Sequence, residues 1–296
     1  MEYVIETKLL TKKYGSKKAV DEITVHVKKG DIYGLIGKNG AGKTTLMKLL
    51  LGLCYANSGD IKLFNSTALN NERKKIGSLI ESPAFYKSKT AFENLKRFAI
   101  LSPTTDEEIH NILKLVRLED TGKKKVGAFS FGMKQRLGIA MAMLGDPELL
   151  ILDEPINGLD PSGIKEIRDI ILELNAKGVT FLISSHLLDE LGKIATNYGI
   201  VSNGMLVEEI SSDELEQKCR TSIKIVVDDA NKAIALITKK FPDVKLEKND
   251  NTIHILSDIE DISDITEILV KKGIRVYELK SESQCLEDFF IERMGK

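Results

Sequence analysis

The chain has 296 residues, with 43 lysines and arginines set against 44 aspartates and glutamates, a balance that excludes nucleic-acid binding by bulk positive charge. Its three cysteines, Cys54, Cys219 and Cys285, are far apart and odd in number, and its four histidines lack metal-ligand spacing, so neither a disulfide framework nor a metal cluster is expected. No apolar run approaches the roughly 18 residues of a membrane span, and MEYVIETKLL is too acidic and too short in apolar residues for a signal peptide. A reducing, cytoplasmic setting is expected, and any action at a membrane would need another chain to cross it.

Taken in chain order, residues 3–37 alternate as YVIETKLL, AVDEITVHV and DIYGLIG, separated by the turn signals Tyr14-Gly15-Ser16 and Lys28-Lys29-Gly30. This predicts an antiparallel sheet leading into a buried strand. The run Gly37-Lys38-Asn39-Gly40-Ala41-Gly42-Lys43-Thr44-Thr45 follows and fits the pattern G-x-x-x-x-G-K-[ST] at every fixed position. A strand before it and the helix-like LMKLLLG after it make a turn whose backbone N–H groups and helix dipole converge on one small volume suited to phosphate. Lys43 can reach the β- and γ-phosphates, Thr44 can place its hydroxyl on Mg²⁺, and Thr45 can reach the α-phosphate.

SGDIKLF (58–64) and KKIGSLIES (74–82) read as strands, the second buried and ending at Glu81. From about 84 to 146 the apolar spacing becomes helical, and Thr90 with Glu93 and Thr105 with Glu108 form start signals for two helices. A third helix begins after FSFG and runs through MKQRLGIAMAML. LLILDEP, from Leu149 to Pro155, reads as a buried parallel strand ending at two carboxylates. With a phosphate loop in the same chain, Asp153 is positioned to hold Mg²⁺ and Glu154 to activate water as a general base. Helix 162–177, strand 179–185, helix 187–196 and strands 198–202 and 205–210 complete an α/β alternation that implies a parallel sheet. Residues 213–220 read as a connector. Residues 221–296 read strand, helix, strand, strand, helix, strand, helix, the β-α-β-β-α-β order of a ferredoxin-like unit followed by one more helix. No catalytic constellation stands out there; dimer contact, partner contact and regulation are all open roles.

These motifs, in this order over roughly residues 1–210, resemble the ATP-binding subunit of an ABC transporter. The resemblance implies a P-loop NTPase core with a parallel sheet, an antiparallel β subdomain and an inserted helical subdomain, within a domain spanning residues 1–212. It equates Phe129-Ser130-Phe131-Gly132-Met133, followed by Gln135-Arg136, with the family's signature sequence, so that Ser130 and Gly132 would contact the γ-phosphate of ATP held by a partner subunit. Tyr14 falls where an aromatic ring stacks on adenine, and His186 where a switch histidine meets the γ-phosphate. Gly158-Leu159-Asp160 match the loop linking two ATP sites. Glu81 stands where glutamine is usual, and it could ligate Mg²⁺ or alter coupling to the membrane partner.

The implied activity is ATP hydrolysis by a head-to-tail pair of ATPase subunits, expected as a homodimer, that drives an integral membrane permease at the inner face of a bacterial membrane. IGSLIESPAFY and FSFGMKQRLGIA resemble the bacitracin-export and lantibiotic-immunity branch in particular. Two rivals are a non-transport ATPase of the same type and an ATP-dependent sensor or immunity module. Tandem cassettes or a coiled-coil insertion would favour the first, and neither is present in the sequence.

Overall fold

The structure is a computed structural model that describes residues 2–81, 83–102, 104–218, 221–242, 244–255, 262–283, 289–290 and 293. In chain order the first elements are β1 (Tyr3–Tyr14), β2 (Lys17–Ile23), β3 (His26–Lys28), β4 (Ile32–Ile36), α1 (Lys43–Leu50), β5 (Ser58–Leu63), α2 (Leu69–Glu72) and β6 (Ile76–Leu79). Next come α3 (Ala91–Phe98), α4 (Asp106–Leu115), α5 (Phe131–Ala142), β7 (Leu149–Asp153), α6 (Pro161–Asn175), β8 (Thr180–Ser185), α7 (Leu188–Gly192), β9 (Asn197–Ser202) and β10 (Met205–Ser211). The chain continues with α8 (Ser212–Lys218), β11 (Thr221–Val227), α9 (Ala230–Lys240), β12 (Leu246–Asn249), β13 (Thr252–Ile255), α10 (Ile262–Lys271) and β14 (Val276–Ser283). It divides into two compact units, Met1–Ser212 with Glu292–Lys296, and Asp213–Ile291.

The first unit holds two sheets. One has the order β10-β9-β4-β8-β7-β6, parallel except for β10. The other is antiparallel, with β1 pairing β2, β3 and β5. Strands β4, β7 and β8 are buried at every residue, as strands covered on both faces must be. Leu46, Met47, Leu49 and Leu50 of α1 share one core with Val20 and Val27 from the antiparallel sheet and Leu35 and Ile151 from the parallel one. That core fixes where the loop before α1 points. Between β6 and β7 lie α3, α4 and α5. The hydroxyls of Thr90 and Thr105 accept the Glu93 and Glu108 amides, and both capping boxes close.

The second unit carries the sheet order β12-β13-β11-β14, antiparallel throughout, with α9 and α10 on the connections. This is the expected split βαβ arrangement, with its own core of Ile225, Ile237, Ile253, Ile265 and Leu269 among others. Two expectations need correction. Residues 213–220 are not a plain connector, because α8 occupies them as far as Lys218; Asp213 and Glu214 at its start and Lys218 at its end suit the helix dipole. Helix 187–196 shortens to Leu188–Gly192. The expected last helix over 284–294 lies mostly outside the described residues, of which Phe289, Phe290 and Arg293 are helical.

Candidate active site

The loop between β4 and α1 is shaped by two left-handed glycines, Gly40 at φ 81° and Gly42 at φ 113°. A Cβ on Gly42 would collide with the Ala19 carbonyl, whereas Gly40 borders open space. Gly42 is also the N-cap of α1 and supplies no side-chain cap, so the first N–H groups of the helix are left for an anion. Lys38, Asn39, Gly40, Ala41, Gly42, Lys43, Thr44 and Thr45 line a cavity of about 310 Å³ together with Tyr14, Lys17, Ala19 and Glu154. Gly37 lies just behind it, and its carbonyl accepts from Lys43 Nζ at 2.5 Å. Tyr14 is 53% exposed, so its ring is not spent on core packing and can stack on a planar ligand.

Parallel register places the two carboxylates. Asp153 ends β7 beside Ser184 of β8. The Ser184 hydroxyl donates to Asp153 Oδ1 at 2.5 Å and accepts from the Glu154 amide at 2.9 Å. Thr44 Oγ1 donates to Asp153 Oδ2 at 2.7 Å. This hydroxyl and carboxylate make an all-oxygen donor pair of the type Mg²⁺ prefers. Among the described residues no cluster of three or more His, Cys, Asp or Glu could hold a metal by itself.

Glu154 turns the chain at φ 49°, a conformation non-glycine residues seldom adopt. Its Oε1 is buried without a hydrogen-bond partner, 3.4 Å from the Lys43 ammonium. Its Oε2 meets His186 Nδ1 at 2.8 Å. An ionised carboxylate only accepts, so Nδ1 carries the proton there and Nε2 is left for a second partner. One oxygen held by a histidine and the other an unfilled acceptor is an arrangement that can take a proton from water.

Glu81 is placed otherwise. It also has a positive φ, 60°, but its Oε1 accepts from Lys48 Nζ at 2.7 Å. The Lys48 hydrogen bond and charge hold the Glu81 carboxyl below its usual range, and Lys48 is raised in turn. Ser130 and Gly132 lie elsewhere on the unit. Ser130 caps α5, its hydroxyl accepting from the Met133 amide at 3.2 Å. Both residues line a second cavity of about 430 Å³ with Gly158, Leu159 and Asp160, and the two cavities share no residue. Lys43, Thr44, Asp153, Glu154 and His186 are therefore joined by direct contacts, while the signature residues are not. Sequence reasoning missed Ser184, whose only signal was its place at the end of FLISS, and Lys48, whose signal was its position four residues after Thr44.

Comparison with known proteins gives four findings of weight. The family model for the ABC transporter matches residues 20–157. The chain is 42% identical over 301 residues to the bacitracin transport ATP-binding protein BcrA of Bacillus licheniformis, covering 100% of this chain and 98% of that one. It is 42% identical over 207 residues to the lantibiotic transport ATP-binding protein SrtF of Streptococcus pyogenes, covering 70% and 90% respectively. An ATP-binding cassette of an ABC transporter, solved in its ADP conformation, superposes with a TM-score of 0.67 at 29% identity, over 72% of this chain and 92% of that one.

Proposed function

The chain belongs to the ABC transporter family as an ATP-binding, ATP-hydrolysing subunit, and on that premise we propose that it powers export of, or immunity to, a bacitracin-type peptide antibiotic. The observation that carries the substrate class is the match to a bacitracin transport protein along the whole chain. The lantibiotic relative accounts for only 70% of it. No helix among the described residues is long and apolar enough to cross a membrane, so a membrane permease would be a separate chain and this subunit would dock on its inner face. Neither a non-transport ATPase nor a sensor module is favoured by these relatives.

In the proposed mechanism adenine stacks on Tyr14 and the phosphates lie in the Gly37–Thr45 loop. Lys43 leaves the Gly37 carbonyl for the β- and γ-phosphates. Thr44 and Asp153 would hold Mg²⁺, with Glu81 as a further candidate ligand. When bound, the ion neutralises charge on the phosphate oxygens. Glu154 Oε1 accepts the proton of the attacking water, and His186 holds the carboxylate through Oε2; with its ring protonated at both nitrogens, the Nε2–H donates toward the γ-phosphate. Ser130 and Gly132 act from a second copy. The Ser130 oxygen accepts at its own helix start, so its O–H remains free to donate to a phosphate oxygen.

The test is antibiotic sensitivity in a host lacking this chain. Loss should raise sensitivity to bacitracin, wild type should restore resistance, and Glu154→Gln should not. Unchanged bacitracin sensitivity on loss would remove the substrate proposal and leave the ATPase assignment standing.

A further inference from the structure

Tyr14 ends β1 with more than half of its surface exposed, so core packing does not fix where its ring points. Lys12 stands two residues before it on the strand and therefore on the same face of the sheet. The Lys12 ammonium lies over the Tyr14 ring, 5.0 Å from its centroid. The same ammonium donates to the Tyr55 carbonyl at 2.7 Å. The stretch after α1 that carries this carbonyl is itself tied to β1. The Asn57 amide donates to the Thr11 carbonyl at 2.8 Å, and the Asn57 side-chain oxygen accepts from the Lys13 amide at 2.7 Å. Lys12 is thus anchored at its tip as well as at its backbone. The phenol end of the ring has its own neighbour: partial desolvation first and the Cys54 thiol second push the Tyr14 hydroxyl above its usual range. Tyr14 lines the phosphate-loop cavity, whereas Lys12, Cys54 and Tyr55 do not.

We propose that Lys12 is a positioning residue for the nucleotide base: it covers one face of the Tyr14 ring and leaves the other, on the cavity side, for adenine. The proposal rests on the reading of Tyr14 as the stacking residue. A cation over an aromatic face is attracted to the ring's negative face, and this cation is held in place by a carbonyl that is itself pinned to the strand. The contact keeps the ring from turning among its rotamers before nucleotide arrives, so less ordering remains to be done on binding. It also takes up the face that does not border the cavity, so a planar base meets the ring from one side. Lys12 acts here through Tyr14 and touches no phosphate. Its contribution therefore requires both a base on the ligand and a ring at position 14, and a bare diphosphate gains nothing from it.

The experiment measures the affinity of the full chain for ADP and for inorganic pyrophosphate by titration calorimetry with Mg²⁺ present. It uses wild type, Lys12→Met, Lys12→Arg, Tyr14→Ala and the Lys12→Met, Tyr14→Ala pair as a double-mutant cycle. Lys12→Met should weaken ADP binding about two- to fivefold, the scale of a cation–π contact at an exposed site. Its pyrophosphate affinity should stay at the wild-type value, which also shows that the phosphate loop is folded. Lys12→Arg keeps a cation over the ring and should keep ADP affinity, and Lys12→Met should have no further effect once Tyr14 is alanine. Unchanged ADP affinity in Lys12→Met, a loss shared by pyrophosphate, an equal loss in Lys12→Arg, or a loss that survives in Tyr14→Ala would overturn the proposal and leave the stacking reading standing. A Tyr14→Ala protein that binds ADP as tightly as wild type would overturn the stacking reading and this proposal with it.

Discussion

At the scale of single residues, the site is a chain of contacts in which each side chain limits its neighbour: Ser184 to Asp153, Asp153 to Thr44, Lys43 to Glu154, Glu154 to His186. Glu154→Gln keeps the size and the His186 contact but cannot take a proton. Hydrolysis should fall by roughly 10²- to 10⁴-fold, the range for a general base, with nucleotide affinity little changed; phosphate release and equilibrium binding, measured together, check both halves. Ser184→Ala leaves Asp153 Oδ1 without its hydroxyl partner, while the Glu154 amide keeps the Ser184 carbonyl at 3.2 Å, and should cost about 1–3 kcal/mol in urea denaturation. The phosphate loop was legible from sequence because its pattern is local and its flanks were right. Ser184 was not, because only sheet register places it against a carboxylate 31 residues away. Lys48 escaped for the same reason, its partner lying on another strand's exit.

At the scale of elements, most helices and strands announced themselves through periodicity and caps. Thr90 and Glu93 are the clearest case, since the predicted box forms with both hydrogen bonds. The Thr90 amide, with Lys125 and Lys89 beside it, lowers the Glu93 carboxyl from 4.5 to about 2. The folded value lies below the ordinary one, so the stabilisation is complete above about pH 4.5 and is lost as pH falls toward 2. The urea midpoint of Glu93→Gln should therefore trail that of wild type at pH 6, with the gap narrowing by pH 3. A gap of equal size at both values would mean that Glu93 acts through packing instead. The connector expectation went astray at 213–220 because short polar segments carry little apolar periodicity; the acid-to-base polarity of DELEQK was the better guide.

At the scale of the whole molecule, the β-α-β-β-α-β order of the second unit could be read from alternation alone, and the sheet order β12-β13-β11-β14 agrees with it. Its role could not be read, because no reactive or ligand-binding residue set marks it. The separation of the two cavities on the first unit bears on assembly. A phosphate loop in one cavity and signature residues in another call for a second copy if both are to meet one nucleotide. Glu154→Gln with MgATP should double in mass from 32.9 kDa in light scattering. Adding Ser130→Arg should keep it monomeric without altering nucleotide affinity. The measurement that bears most directly on the central claim is recovery of partners. Tagged Glu154→Gln protein is expressed in its host, and gently solubilised membranes are passed over the tag with MgATP present. A transporter motor predicts a polytopic membrane protein in fixed ratio to this chain. Recovery from the soluble fraction alone, with ribosomes, nucleic acid or nothing bound, would contradict it.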